Sequence, residues 1–502
     1  MIELWQFHGG IKLEGHKSLS NKNPIVQANI PQFLVLPLLQ HIGDPTKPIV
    51  EVGEKVLKGQ MIAHCHEHDC SKRISTPVHA SSSGTIVAIE PRAVPHPSGL
   101  RAPCIVIETD GQDTWFERVP LTDYMELPPS VARTYIAQAG IVGLGGAGFP
   151  SHLKLKPEGI DTLIINGAEC EPYITCDDRL MREEPDKIIA GASIIRHVLG
   201  GAKRCIIAIE DNKAEAYSAL LETAQQQQEQ VEIIQVPTIY PMGGEKQLIH
   251  VLTGQEVERG KLPASIGIVV HNVKTARAVY RAVQQGQALI SRIVTVTGNG
   301  IKNPQNLEVR LGTPMHVVIE QCGRKSGIKR LIMGGSMMGF ALPNDDMPIV
   351  KTTNSLIVSR NDEIETPSLP MPCIRCGACA NACPIHLLPQ QLYWYAKAKD
   401  FKKVRDYHIF DCIECGCCAY ECPSHIPLVS YYRYAKAEII ASERDRKKAD
   451  LARQRHEFRT FRLKREKAEK ATRHKQKKAV SDNSKETAIK AALEKSKAKY
   501  DT

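Results

Sequence analysis

Two short cysteine runs restrict this chain more than anything else in it. The first is Cys373-Ile374-Arg375-Cys376-Gly377-Ala378-Cys379 followed by Cys383-Pro384; the second is Cys412-Ile413-Glu414-Cys415-Gly416-Cys417-Cys418 followed by Cys422-Pro423. Three thiolates spaced by three residues can wrap one iron–sulfur cubane, each reaching a different iron. Gly377 and Gly416 let the backbone bend close to inorganic sulfide. In two-cluster ferredoxins the fourth Cys of each run ligates the other cluster. That rule assigns Cys373, Cys376, Cys379 and Cys422 to one [4Fe–4S] cluster, and Cys412, Cys415, Cys418 and Cys383 to a second. Each Pro is expected to end its loop and start a helix. Zinc is the alternative, since it also takes Cys-x-x-Cys, but it has no use for a third Cys at i+6 in both runs. Cys417 reads as a packed thiol, because ligation through it would spoil the register. Crossed ligation holds the clusters close, so the module is a one-electron wire that something else must feed.

Of 16 cysteines, those outside the runs are scattered between Cys65 and Cys322, which is not a secreted disulfide framework. No apolar run approaches the ~18 residues needed to cross a bilayer. Met1 to Trp5 has neither the basic nor the apolar part of a secretory signal. The expectation is a chain on the cytosolic side, free or peripheral to a membrane. The net charge of +10 is uneven: residues 441–502 hold 21 Lys/Arg against 10 Asp/Glu, which leaves the rest near neutral. Basicity therefore belongs to a tail and does not argue for nucleic-acid binding by the body. Aromatic residues, at 5%, are too few to favour a base-stacking platform.

A chain of 502 residues suits several compact units. The patterning predicts a multidomain α/β plus β protein. Residues 1–120 read as a barrel-sandwich (hammerhead) β domain, carried by 50–60 and 77–89 with Gly at the turns. Where a lipoyl-type carrier presents its Lys, this chain has Ser81-Ser82-Ser83, so the shape is expected without a covalent group. Residues 121–288 alternate helix and buried strand, as in a Rossmann-like α/β layer. Residues 289–345 return to β texture, as a β-grasp unit, and 366–372 form a Pro-rich linker. The cluster module occupies 365–440, and 441–502 form a basic tail, helical at first and then frayed. The tract His64 to Cys70 could bind metal or be a polar loop. The tail could meet acidic lipid or a partner, or be a solvated helix.

Gly143, Gly145 and Gly148 match G-x-G-x-x-G, a weak signal alone. A dinucleotide fold needs a strand immediately before, and 131–140 looks helical. A standard NAD loop, a flexible turn, and a loop whose N–H groups cradle a flavin phosphate all stay open.

Gly143-Leu144-Gly145-Gly146-Ala147-Gly148-Phe149-Pro150, running on to Lys154, resembles the flavin loop of the NADH-binding 51-kDa subunit of respiratory complex I. Asn166-Gly167-Ala168-Glu169-Cys170-Glu171-Pro172, Tyr240-Pro241-Met242-Gly243-Gly244-Glu245 and Asn272-Val273-Lys274-Thr275 resemble further segments of that subunit in the same order. The order of hammerhead, flavin domain, β-grasp and dicluster module is similar to the C subunits of Rnf (Rsx) complexes, over about residues 5–440. The resemblance implies NADH as substrate, non-covalent FMN and two [4Fe–4S] clusters, with no catalytic acid or base. It implies FMN at Gly143, Gly145, Gly146, Gly148, Lys154, Asn166, Glu169, Gly243, Gly244, Asn272 and Thr275, with Glu171 and Glu245 towards the nicotinamide or its ribose. For each carboxylate a solvated or helix-capping role is the alternative. The implied partners are membrane subunits of an Rnf-type complex and ferredoxin or another low-potential carrier, at the cytoplasmic face of the bacterial inner membrane. Leu144, Ala168 and Gly244 stand where the complex I subunit has Arg, Asp and Glu. They keep open a second reading, an electron wire whose flavin fold is empty.

Overall fold

The computed structural model describes residues 3–65, 74–156, 158–360 and 369–497. Within them the strands assemble into four sheets. Phe33–Pro37, Arg101–Thr109, Gly84–Ala93 and Lys55–Val56 pair antiparallel in that order, and Lys47–Pro48, Met61–His64 and Val78–His79 form a small second sheet. Alternate residues Leu34, Leu36, Ile105 and Ile107 are fully buried, the period-two pattern of a sheet with one face inward. Ser81, Ser82 and Ser83 are buried too. The hydroxyls of Ser82 and Ser83 donate to Asp113 and Asp110 at 2.9 and 2.7 Å, so this tract is tied inward and not displayed.

The third sheet is wholly parallel, in the order Glu232–Val236, Arg204–Glu210, Thr162–Gly167, Ile268–Asn272. Its strands are apolar on both faces because helices cover both. Leu163, Ile165 and Ile207 pack with Pro185–Val198 and Val273–Gln285, whereas Ile164, Ile206 and Ala208 pack with Glu245–Thr253. The two helices on the first face cross closely: a Cβ on Gly191 would lie 1.9 Å from the Ala276 carbonyl oxygen.

The fourth sheet has six strands, in the order Val26–Gln27, Gln305–Arg310, Ser291–Thr297, Ser355–Arg360, Ile328–Met333, Phe340–Leu342. It therefore reaches outside 289–345, taking one strand from the N-terminal region and one from beyond the expected boundary.

In the cysteine module Gly377 and Gly416 adopt φ of 82° and 88°, and one-turn helices, Ala378–Asn381 and Cys417–Tyr420, start immediately after them. The prolines do not start helices, contrary to expectation. Pro384 and Pro423 sit in turns, and the next helices begin at Pro389 and Leu428. The tail does not fray within the described residues: Leu428–Lys497 is one continuous helix of 70 residues. The linker 366–372 and the tract from His64 to Cys70 lie partly outside the described residues; His64 ends the strand Met61–His64.

Candidate functional site

In chain order the parallel sheet runs three-two-one-four. The gap between strands one and four is its switch point, where open α/β sheets bind ligands outside the carboxyl ends of the strands. Asn166 and Asn272 sit opposite each other at those ends. A cavity of about 430 Å³ has both in its wall, together with Gly145, Glu169, Glu171, Gly243, Gly244 and Glu245. Backbone forms part of that wall, and at Gly243 a side chain would be crowded. A Cβ on Gly243 would lie 3.0 Å from Cys170 Sγ, and one on Gly145 would lie 3.4 Å from Asn272 Cβ. A glycine cradle flanked by two carboxamides, in a volume within the ~300–1,000 Å³ usual for cofactor pockets, fits a flavin.

Five of the expected residues lie outside this wall. Thr275 is fully buried and its hydroxyl accepts from the Leu144 amide at 2.9 Å, so it holds the glycine loop in place. Gly143, Gly146 and Gly148 belong to that loop, which the Gly143 amide closes on the Phe149 carbonyl at 2.7 Å. The helix Pro129–Gln138, and not a strand, leads into the loop, and only the single turn Ser151–Lys154 follows it, so it is not a strand–loop–helix dinucleotide motif. Lys154 Nζ lies 2.5 Å from Glu245, itself a wall residue.

The carboxylates are heavily engaged. Glu169 accepts from the amides of Asp177 and Asp178 at 2.6 and 3.2 Å, capping the helix Cys176–Glu183. Burial, then the Asp177 charge, push its pKa up against the pull of Lys17, Lys213 and Lys274. Glu171 accepts from the amides of Met337 and Met338 at 3.1 and 3.0 Å, which joins the cavity to the turn after Ile328–Met333. Burial raises its pKa while those amides oppose the shift. Asn166 Nδ2 donates to the Gly243 carbonyl at 3.0 Å, and Asn272 Nδ2 to Asp177 Oδ2 at 2.7 Å.

Several contributors escape motif reading. Lys17 is half-buried and donates to the carbonyls of Glu169, Glu171 and Ile174 at 2.7, 3.1 and 2.8 Å. It pins a segment in which Glu169 and Tyr173 take φ of 53° and 70°, a region that side chains resist. Only chain folding brings Lys17 here, so no local signal marks it. Lys274 contacts Asp177 and lies 3.1 Å from Cys176 Sγ. Glu169, Cys176 and Asp177 converge closely enough to hold a metal ion, but the Lys274 ammonium already sits against Asp177 and Cys176. Leu144, where the complex I subunit has Arg, receives a guanidinium from elsewhere: buried Arg292 donates to the Leu144 carbonyl at 3.1 Å, and also to Asn354 and the Lys351 carbonyl.

The cysteines gather into two sets. Cys373, Cys376, Cys379 and Cys422 line one pocket, and Cys383, Cys412, Cys415 and Cys418 line another. Burial raises the Cys418 and Cys379 thiols, and neighbouring thiols of each set raise them further. Four thiols around each pocket are the donor set of one cubane, so both sets fit iron–sulfur clusters, whose positive charge would ionise them. Cys417 lines neither pocket; it is buried against Ile11, Tyr240 and Ala382.

The second set meets the nucleotide-type cavity directly, since Ile413 and Cys415 form part of the same wall. Tyr240 spans the junction, its hydroxyl donating to the Cys415 carbonyl at 2.7 Å. An N-terminal strap clamps it. Ile11 and Tyr240 exchange backbone hydrogen bonds at 2.8 and 2.9 Å, Gly10 donates to the Ala382 carbonyl at 3.1 Å, and a Cβ on Gly9 would lie 2.8 Å from that carbonyl.

Comparison with known proteins agrees with this layout. Family models match residues 5–112 (RnfC barrel sandwich hybrid domain), 136–281 (Nuo51 FMN-binding domain), 293–341 (SLBB domain) and 372–426 (4Fe-4S dicluster domain). Proteins named as the C component of an ion-translocating oxidoreductase complex align along almost the whole chain. The Vibrio cholerae serotype O1 protein is 48% identical over 99% of this chain and 64% of its own. The Pectobacterium atrosepticum protein is 47% identical over 98% and 70%, and that of Yersinia pestis 44% identical over 94% and 76%.

The chain belongs to the RnfC family, the C components of ion-translocating oxidoreductase complexes.

It spans about 64% of the length of the Vibrio relatives it matches. Among solved structures, an NAD+-reducing [NiFe]-hydrogenase in the air-oxidised state aligns over 57% of each chain at 22% identity and a TM-score of 0.44, too loose to carry an argument. Among the described residues no helix is long and apolar enough to cross a membrane.

Proposed function

We propose that this chain is a peripheral electron-transfer subunit of a membrane-bound ion-translocating oxidoreductase, passing electrons between NADH, non-covalent FMN and two [4Fe–4S] clusters. FMN, when bound, accepts a hydride from NADH and gives up electrons singly, the form in which a cluster takes them. The observation that carries the reading is the shared wall: one cavity is lined both by Gly145, Asn166 and Asn272 and by Ile413 and Cys415. A ligand in it lies against the second cysteine set without an intervening layer of protein.

On this reading Asn166, Asn272 and the Gly145 backbone orient the ring and ribityl chain. The glycine loop and Lys154 hold the phosphate, and Lys154 must then share its charge between that phosphate and Glu245. Glu171 and Glu245 line the approach for the nicotinamide ribose. Glu169 contributes by capping a helix and fixing the backbone, and Lys17 secures the same segment. Cys373, Cys376, Cys379 and Cys422 hold one cluster, and Cys383, Cys412, Cys415 and Cys418 the other. Membrane subunits of an Rnf-type complex and ferredoxin or a similar carrier are the partners, at the cytoplasmic face of the bacterial inner membrane.

The test is anaerobic purification followed by acid release of flavin, iron determination and NADH-driven bleaching near 400 nm. One FMN per chain, about eight irons and rapid bleaching by NADH support the reading. Iron without flavin, bleached only by dithionite, replaces it with a passive wire.

A further inference from the structure

The helix Leu428–Lys497 leaves the cysteine module and runs on for about 105 Å at 1.5 Å per residue. From residue 451 to 497 every residue is exposed, so packing against this chain does not explain its composition. Its register does carry information. At 3.6 residues per turn, Ile440, Leu451, Phe458 and Val480 fall within about 40° of one another on the helix surface, whereas Phe461 and Leu463 lie about 60° and 100° to either side of that line and Ile489 and Leu493 fall on the far side. All four are exposed.

Charge follows the same line. Between residues 440 and 480, an arc of about 140° that contains that apolar line holds ten Lys/Arg and two Asp/Glu, a surplus of eight. The remaining, wider arc holds six Lys/Arg and four Asp/Glu, a surplus of two. A uniformly solvated helix has no reason to sort its charges in this way. Arg462 and Arg465 approach Glu466 and Glu469 at 3.6 and 3.4 Å, exposed pairs that contribute little. Arg444, Lys447, Arg455, Arg459 and Arg473 have no ion-pair partner among the described residues. An open notch beside this face sets Arg444, Lys447 and Lys448 between Ile440 and Leu451, with Glu443, which pairs with Arg405, as its one carboxylate.

We propose that this face of the helix lies on an anionic bilayer surface, with Ile440, Leu451, Phe458 and Val480 at the headgroup boundary and the flanking Arg and Lys on lipid phosphates. A sparse apolar line amid many cations suits a basic segment held at an acidic membrane mainly by charge, with shallow apolar contact adding to it. An acidic protein groove would ask for a denser apolar stripe, whereas the headgroup boundary of a bilayer takes scattered apolar side chains and the cations between them together. The inference stands on the tail alone and does not depend on the flavin or the clusters.

The experiment uses the full chain and vesicles of phosphatidylcholine, with or without about one-third phosphatidylglycerol, read by flotation and by titration at several salt concentrations. Two quadruple variants remove the same charge from opposite sides: R455Q/R459Q/R462Q/R465Q on the basic face, and R446Q/R453Q/K464Q/K467Q behind it. Circular dichroism checks that both keep their helicity. The expected result is phosphatidylglycerol-dependent, salt-sensitive binding that the first variant weakens by roughly 10²–10³-fold, at about three- to sixfold per cation. The second variant weakens it less than about threefold, because its side chains point away from the surface. Equal loss from both variants, binding that ignores phosphatidylglycerol, or capture of duplex DNA in preference to the vesicles overturns the proposal.

Discussion

Lys351 joins three parts of the molecule. Its ammonium is buried and donates to the carbonyls of Pro77, in the barrel-sandwich unit, and Gly140, just before the glycine loop, at 2.9 and 2.7 Å. Its own carbonyl receives Arg292. Among the described residues no carboxylate accompanies it, and burial lowers its pKa from 10.5 to about 7. Between those values the unfolded chain keeps a proton that the folded chain has released, so stability rises with pH across that window. Below pH ~7 both states are protonated and the dependence vanishes. Comparison with Lys351→Met isolates the effect, because other titrating groups are common to both proteins. Two carbonyls lose their donor in the variant, a penalty of about 1–3 kcal/mol each that does not change with pH. The pH-dependent part follows from the shift: from about pH 6.5 to about pH 8.5 the wild type gains roughly 25-fold over the variant in the closing equilibrium of this junction, close to 2 kcal/mol. Hydrogen–deuterium exchange of peptides covering 136–142 and 349–353, corrected for intrinsic rates, reads that ratio. A ratio that stays flat, or falls with pH, refutes the assignment of a buried, depressed lysine.

Other outcomes follow from packing and ligation. Gly191→Ala puts a Cβ against the Ala276 carbonyl, and is expected to destabilise the parallel-sheet unit by about 1–3 kcal/mol, measured by urea unfolding. Lys17→Met leaves the carbonyls of Glu169, Glu171 and Ile174 without their shared donor, and is expected to lower FMN per chain while iron content stays the same; full flavin retention would remove Lys17 from the site. Cys417→Ala is expected to keep its iron, whereas Cys415→Ala loses about half, as one cubane of two; iron assay and electron paramagnetic resonance of the reduced protein distinguish them.

Local pattern was enough for several features. The cysteine spacing marked the cluster module, the apolar runs at 162–165 and 205–209 marked buried parallel strands, and the glycine at each cysteine run takes the positive φ that the turn requires. Each of these depends on neighbours in sequence, so sequence carries it. The spacing also named the four thiols expected at each cluster.

What the tertiary structure alone decided is which distant groups meet. Lys17 reaches the acidic segment, Arg292 the loop in which Leu144 stands, and Tyr240 the Cys415 carbonyl, across separations of 152, 148 and 175 residues. Glu169 carries a capping carboxylate because the helix Cys176–Glu183 starts beside it, and Thr275 became a support for the glycine loop instead of a wall of the cavity. The sheet that takes Val26–Gln27 at one edge and Ser355–Arg360 in its interior could not be bounded from its own stretch of chain. Periodicity records which side of an element is buried, and says nothing about which other element covers it. That choice is made when backbone donors, apolar faces and charges far apart in the chain find partners in the same small volume.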